Sequence, residues 1–233
     1  MTDIKERPIL FSAPMVRAIL EGQKTVTRRA MKIQPDDDAS ITVETYNVAV
    51  TNRHGGQEAG PEVFGAWWRD GESGCKCPYG KPGDRLWVRE TWFCDHFEVM
   101  RGPYLKPDDL DIGAARDDGT LVYAADGLTP YELEQPAWKP SIHMPRWVSR
   151  IPLEITDVRV ERLQDIDEEQ AQAEGIGDHE FWCRQPYDQD GAPTCDCDSI
   201  SYEESFQRLW NSTGGNWDAN PFVWVVEFKR ATP

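Results

Sequence analysis

No stretch of this 233-residue chain runs to more than five consecutive apolar side chains, and the strongest such run, Phe222 to Val226, lies near the C-terminus. Five residues are far too few to cross a bilayer. Seventeen prolines and eighteen glycines place much of the remainder in turns and loops. Met1 to Arg7 is polar and charged, with no apolar segment of signal-peptide length behind it. The expectation is a cytoplasmic protein with no membrane partner, long enough to bury a core as one large domain with insertions.

Local patterns mark out the elements. Ser12-Ala13-Pro14 opens a helix on which Met15 and Ile19, then Val16 and Leu20, repeat four residues apart, and Gly22 is placed to end it. Thr25-Val26-Thr27 favours an extended strand, with Thr25, Thr27 and Arg29 on one face and Lys24 at the preceding turn. Pro82-Gly83-Asp84 turns into a strand over residues 85–92. Leu121 to Ala124 reads as a short strand, and Arg146 to Val160 as a long strand or two, with a change of parity near Thr156-Asp157 that predicts a bulge. Asp167 and Ser201 start helices with capping-box spacing, and Gly175 closes the first of them. Phe222 to Phe228 is the closing strand. Three segments, at about 30–80, 95–119 and 177–200, read as irregular insertions within a single domain spanning 1–233. Strands interleaved with a few short helices predict an α+β, mainly β fold: a small β-barrel with packed helices and long loop insertions.

Charge is unevenly spread. The formal net charge of -16 repels phosphate and argues against long duplex DNA as a partner. Yet Arg17, Lys24, Arg28 and Arg29 face only Glu21 within residues 11–29, and Lys139, Arg146 and Arg150 have no acid beside them within residues 138–150. If these stretches meet, they form a small cationic site suited to a nucleoside or a short single strand. Ordinary surface scatter explains the same charges, and a solvated face explains Lys24 and Arg28.

The order of motifs resembles the ASCH domain, which has a PUA-like β-barrel. The matching residues are Gly22, Lys24, Thr27 and Arg29; Gly83, Asp84 and Leu86; Glu169 to Ile176; and Val225 to Lys229. Cys77-Pro78-Tyr79-Gly80, Arg89-Glu90-Thr91-Trp92 and the segments 138–147 and 217–221 resemble a longer ASCH type common in phage and prophage genomes. The resemblance implies RNA-related work. Some members remove the acetyl group from N4-acetylcytidine, and others are ribonucleases or RNA binders. Carried across motif to motif, the catalytic Lys, Thr and Glu of the amidohydrolase branch fall on Lys24, Thr27 and Glu174. No cofactor is implied for catalysis.

That chemistry needs a nucleophile, a proton shuttle and an oxyanion donor. Thr27 offers a hydroxyl. Lys24 could be its base if burial and the neighbouring Arg28 and Arg29 depress its pKa, or an oxyanion donor if it stays charged. Glu174 could hold Lys24 charged, or donate a proton to the leaving amine. Arg28, Arg29, Arg89 and Arg146 are candidate substrate-binding residues, with Trp92 and Trp147 as candidate base-stacking platforms among ten tryptophans that mostly read as core. Glu90, an inward acid, needs a cation, which Arg85 or Arg146 could supply. Two Cys-x-Cys pairs, Cys75/Cys77 and Cys195/Cys197, could hold a structural zinc, although C-x-x-C is the usual spacing. Cys94 and Cys183 read as unpaired fillers, and His143 as structural. Two further readings stand beside the enzyme: a non-catalytic RNA-binding module, and an acidic phage protein that engages a basic host factor.

Overall fold

The computed structural model describes residues 4–69, 73–127, 138–176 and 200–231, and it shows an α+β architecture, mostly sheet with few helices. Five strands form the main sheet: β1 (Glu6–Leu10), β2 (Val26–Ala30), β6 (Arg85–Arg89), β9 (Pro152–Arg162) and β10 (Phe222–Arg230). Their spatial order is β1-β6-β9-β10-β2, with β1 parallel to β6 and the other pairs antiparallel. Among the described residues the sheet does not close into a barrel by main-chain pairing. Its two edges are nonetheless joined by a side chain: Arg29 on β2 donates from Nη2 to the carbonyl of Leu10 on β1 at 2.7 Å.

The anticipated parity change is real. Glu227 pairs with Asp157 and Phe228 with Ile155, so Thr156 is the extra residue of a bulge. Leu153, Ile155 and Val158 are all buried as a result. Upstream the reading of a strand from Arg146 was wrong. Arg146–Val148 is a single 3-10 turn following Pro145, and the strand begins only at Pro152.

Each face of β10, an interior strand of the sheet, serves a different core. Trp224, Val226 and Phe228 pack with Leu86, Val88 and Leu153, and with Val16 and Ile19 of helix α1 (Ala13–Leu20). Val223 and Val225 pack on the other side with Val26, Leu163 and Ala171, and with Phe206 of the last helix. That second layer comprises α4 (Glu168–Ala173) and α5 (Tyr202–Ser212), whose caps Asp167 and Ser201 accept from the backbone N–H of Gln170 and Glu204. Full burial on both faces explains the unbroken apolar run from Phe222 to Val226 in β10.

The segment at 30–80 is not irregular. It holds a three-stranded antiparallel sheet, β3 (Thr42–Thr51), β4 (Gln57–Trp68) and β5 (Ser73–Lys76), closed at the β3–β4 end by Asn52 accepting the N–H groups of His54 and Gly56. Polar residues on both faces of β3 and two glycines and a proline in β4 disguise the period-two pattern. Residues 95–119 contain two short helices, α2 (Phe97–Met100) and α3 (Ile112–Asp117), beside the β7 (Trp92–Cys94) and β8 (Leu121–Tyr123) pair. The third expected insertion, 177–200, lies almost wholly outside the described residues.

Candidate functional site

The Gly22–Arg29 motif is pinned by main-chain bonds before any side chain acts. Gly22 has φ +79° and lets the chain leave α1, while Gln23 and Lys24 both donate to the carbonyl of Ala18. Lys24 then forms an isolated antiparallel bridge with Glu174, the residue that caps α4. Gly175 follows with φ +83°, and a β-carbon there would collide with Ala18 and Lys24. Glycine at 175 is what lets the two backbones touch.

Across this contact the Lys24 amine meets the Glu174 carboxylate at 2.6 Å. Its other two protons go to the carbonyls of Glu174 at 2.7 Å and Val26 at 2.8 Å. All three ammonium donors are satisfied, although the two side chains are only 0% and 3% exposed. Arg28 completes the cluster. It lies 3.5 Å from Glu174 and 3.4 Å from Glu161, and it donates to Gln170, while its Nε has no partner among the described residues. The solvated-face reading of Lys24 and Arg28 therefore fails. Burial pushes the Lys24 amine below the ordinary lysine range, the Glu174 carboxylate pulls it back up, and Arg29 and Arg28 press it down again.

Thr27 is buried, 3% exposed, on the β2 face that also carries Arg29. Among the described residues it makes no hydrogen bond to Lys24 or Glu174. Lys24 and Arg29 do share a neighbour, lying 5.5 and 5.4 Å from the ring centre of Phe11. Beside the buried pair a cavity of about 340 Å³ is lined by Gly22, Gln23, Thr25, Glu169, Gln172 and Tyr202, so it is flanked by chain neighbours of both Lys24 and Glu174.

The remaining candidates lie elsewhere. Arg89 donates to the carbonyls of Met144 and Ile142, and Arg146 pairs with Glu6 at 2.8 Å. Both guanidinium groups sit against the ring of Trp87, at 5.3 and 6.0 Å, a half-buried platform the sequence reasoning did not single out. Trp92 cannot stack on a base in this arrangement: it is 0% exposed, packed edge-on against Tyr104 and Trp147. Trp147 is half-buried and donates to the carbonyl of Tyr104. The inward acid Glu90 takes its partner from neither Arg85 nor Arg146 but from Arg150, at 3.0 and 3.1 Å, and Arg150 also reaches Asp126 at 2.7 Å. The sequence pattern places Arg150 within a strand and does not offer it as the partner of Glu90; its position depends on the 3-10 turn at Arg146–Val148 before it.

Cys75 and Cys77 stand two residues apart at the end of β5. Cys77 is almost fully buried, and burial pushes its thiol up while the N–H groups of Tyr79 and Gly80 and the charge of Arg7 pull it partly back. Cys195 and Cys197 lie outside the described residues. Among the described residues no group of three or more His, Cys, Asp or Glu side chains is placed to hold a metal ion, and no helix is long and apolar enough to cross a membrane. Comparison of the chain with protein-family models, curated proteins and solved structures returned no match.

Proposed function

We propose that this chain is an ASCH-type protein, its sheet a PUA-like barrel held at the seam by Arg29, that acts on RNA or modified nucleosides by amide hydrolysis of N4-acetylcytidine. The supporting observation is the contact between Lys24 and Glu174, which are 150 residues apart in sequence and 2.6 Å apart in space. The amine and the carboxylate anticipated for that activity meet, while Thr27 is buried on the neighbouring strand without a hydrogen bond to either of them.

In this reading the pair works as a shared-proton unit. In a dry site a separated charge pair and its neutral counterpart are closer in free energy than in water. A proton moving from the ammonium to the carboxylate leaves a neutral Lys24 amine and a Glu174 carboxylic acid. For the next step the amine must turn from its Glu174 and Val26 partners to the Thr27 hydroxyl and remove its proton, so that the threonine oxygen attacks the acetyl carbon. Glu174 protonates N4 as the C–N bond breaks, releasing cytidine. Water then cleaves the acetyl-threonine, restoring the hydroxyl and releasing acetate. The 340 Å³ cavity at Gly22 and Thr25 lies within the size range of small-molecule sites, but its lining includes none of Lys24, Thr27 and Glu174, so substrate must reach them past Thr25 and Ala173. Incubation with N4-acetylcytidine, followed by chromatography of cytidine, tests the proposal. Turnover that vanishes with Glu174→Gln supports it, and absence of turnover at high enzyme concentration removes it.

Trp87 between Arg89 and Arg146 favours a second reading, a non-catalytic module that stacks a base of a short single strand there. It predicts salt-sensitive RNA binding lost in Trp87→Ala and no turnover. A structural zinc on Cys75, Cys77, Cys195 and Cys197 belongs with either reading. Metal analysis near one equivalent supports it, and far less than one rejects it.

A further inference from the structure

Asp84 ends the turn that launches β6 and is only 5% exposed. Its carboxylate accepts Arg7 Nη1 at 2.9 Å and the backbone N–H groups of Lys5 at 3.2 Å and Lys81 at 3.3 Å. Burial pushes the Asp84 carboxyl up, but these hydrogen bonds outweigh it and hold the group below the usual aspartate range. Arg7 and Asp84 thus cancel one another's charge. Gly80 lies directly over them with φ +117°, where any side chain would strike both Arg7 and Asp84.

Above this pair is a cleft of about 260 Å³ whose walls include Lys5, Lys76 and Lys81. The three lysines come from separate places: the approach to β1, the end of β5, and the turn before β6. All three are exposed, and among the described residues none of their ammonium groups has a carboxylate within 4 Å. Glu62 on β4 is the other acid on the wall. In a chain with net charge -16, three lysines gathered round one cleft against a single unmatched carboxylate reverse the local sign of the field. The β3–β4–β5 sheet, which supplies Thr45, Glu62, Phe64 and Lys76, builds the wall facing the turn.

We propose that this cleft binds a phosphate-bearing ligand, its anionic group held by Lys5, Lys76 and Lys81 above the Arg7–Asp84 floor. A phosphate monoester carries about 1.5 to 2 negative charges and three acceptor oxygens, which matches three ammonium donors better than a carboxylate does. The site shares no residue with the Lys24–Glu174 cluster and stands whether or not that cluster is catalytic. The phosphate can arrive on a free nucleotide or on the 5′ end of an RNA strand.

Calorimetric titration at low ionic strength tests this with three probes: inorganic phosphate, a nucleoside 5′-monophosphate and a 5′-phosphorylated RNA trimer, the last two beside their unphosphorylated counterparts. The expected result is saturable one-to-one binding of a phosphorylated probe. Lys76→Gln and Lys81→Gln should each weaken it about tenfold, the scale of one charge-assisted hydrogen bond. Tightest binding by the nucleotide identifies a free small molecule, and tightest binding by the trimer identifies a strand end. Both lysines are exposed, so an unchanged Tm verifies folding. No binding by any phosphorylated probe, or equal affinity in the Lys76→Gln/Lys81→Gln double variant, overturns the proposal.

Discussion

Replacing Lys24 by Met removes the ammonium and keeps most of the aliphatic volume. Three acceptors then lose their donor: a Glu174 carboxylate oxygen and the carbonyls of Glu174 and Val26. Water cannot replace it easily, because the Glu174 side chain is only 3% exposed. Removing one member of a buried ion pair costs about 3–5 kcal/mol. The Arg28 guanidinium, 3.5 Å from the other carboxylate oxygen, keeps the loss toward the lower end. In a protein of this size each kcal/mol moves Tm by roughly 2–4 °C, so the expected fall is about 6–20 °C. Thermal and urea unfolding of Lys24→Met, Glu174→Leu and the double variant form a cycle. The double variant should be less destabilised than the two single variants added together, by more than about 1 kcal/mol, because it leaves no lone buried charge. A loss below about 1 kcal/mol for Lys24→Met, or strict additivity, would refute the argument that the pair is buried and mutually dependent.

Arg150→Met strips Glu90 of both hydrogen bonds in a site where Glu90 is 1% exposed, and unfolding experiments should show a loss of about 3–5 kcal/mol at pH 7. Asp84→Asn should cost about 1.5–3 kcal/mol at neutral pH. Because the folded-state pKa of Asp84 is depressed, its contribution is present above the ordinary aspartate value of 3.8 and is lost as pH falls below it through the folded value. The stability gap between wild type and Asp84→Asn should therefore close below pH 3.8, and a gap that stays constant in acid contradicts the assignment. Gly175→Ala places a β-carbon at φ +83° against Ala18 and Lys24, and Tm should report a loss of about 1–3 kcal/mol from the backbone strain alone.

Local signals carried the elements that depend on local chemistry. The caps at Asp167 and Ser201, the left-handed glycines at 22 and 175, the bulge at Thr156 and the apolar run of β10 all stand where turn preference and hydrophobic pattern put them. Two other features rest on contacts that sequence does not display. β1 is held by a parallel ladder to β6 about 79 residues away, from Glu6 against Arg85 to Leu10 against Arg89, and nothing in its five-residue run announces that pairing. β3 and β4 lie in a sheet exposed enough for charged and polar residues on both sides, so the apolar alternation that identifies a strand is missing. Lys24 and Glu174 are singled out through the family resemblance, and their pairing is one of the alternatives left open there; the structure shows the contact. Its burial, the saturation of all three lysine donors and the cancellation of Glu90 by Arg150 follow from packing. Trp92 shows the same limit: next to basic residues in sequence, it is turned inward under Tyr104 and Trp147.

The central claim is that the joined Lys24 and Glu174 side chains perform proton transfer on an acetylated cytosine. The most direct measurement is the rate of cytidine release from N4-acetylcytidine by wild type and by Glu174→Gln, with circular dichroism confirming that both are folded. The account predicts steady turnover by wild type and a loss of at least about a hundredfold in the variant, the scale of one general acid–base group. Equal rates in two folded proteins, or no cytidine from either, would contradict it.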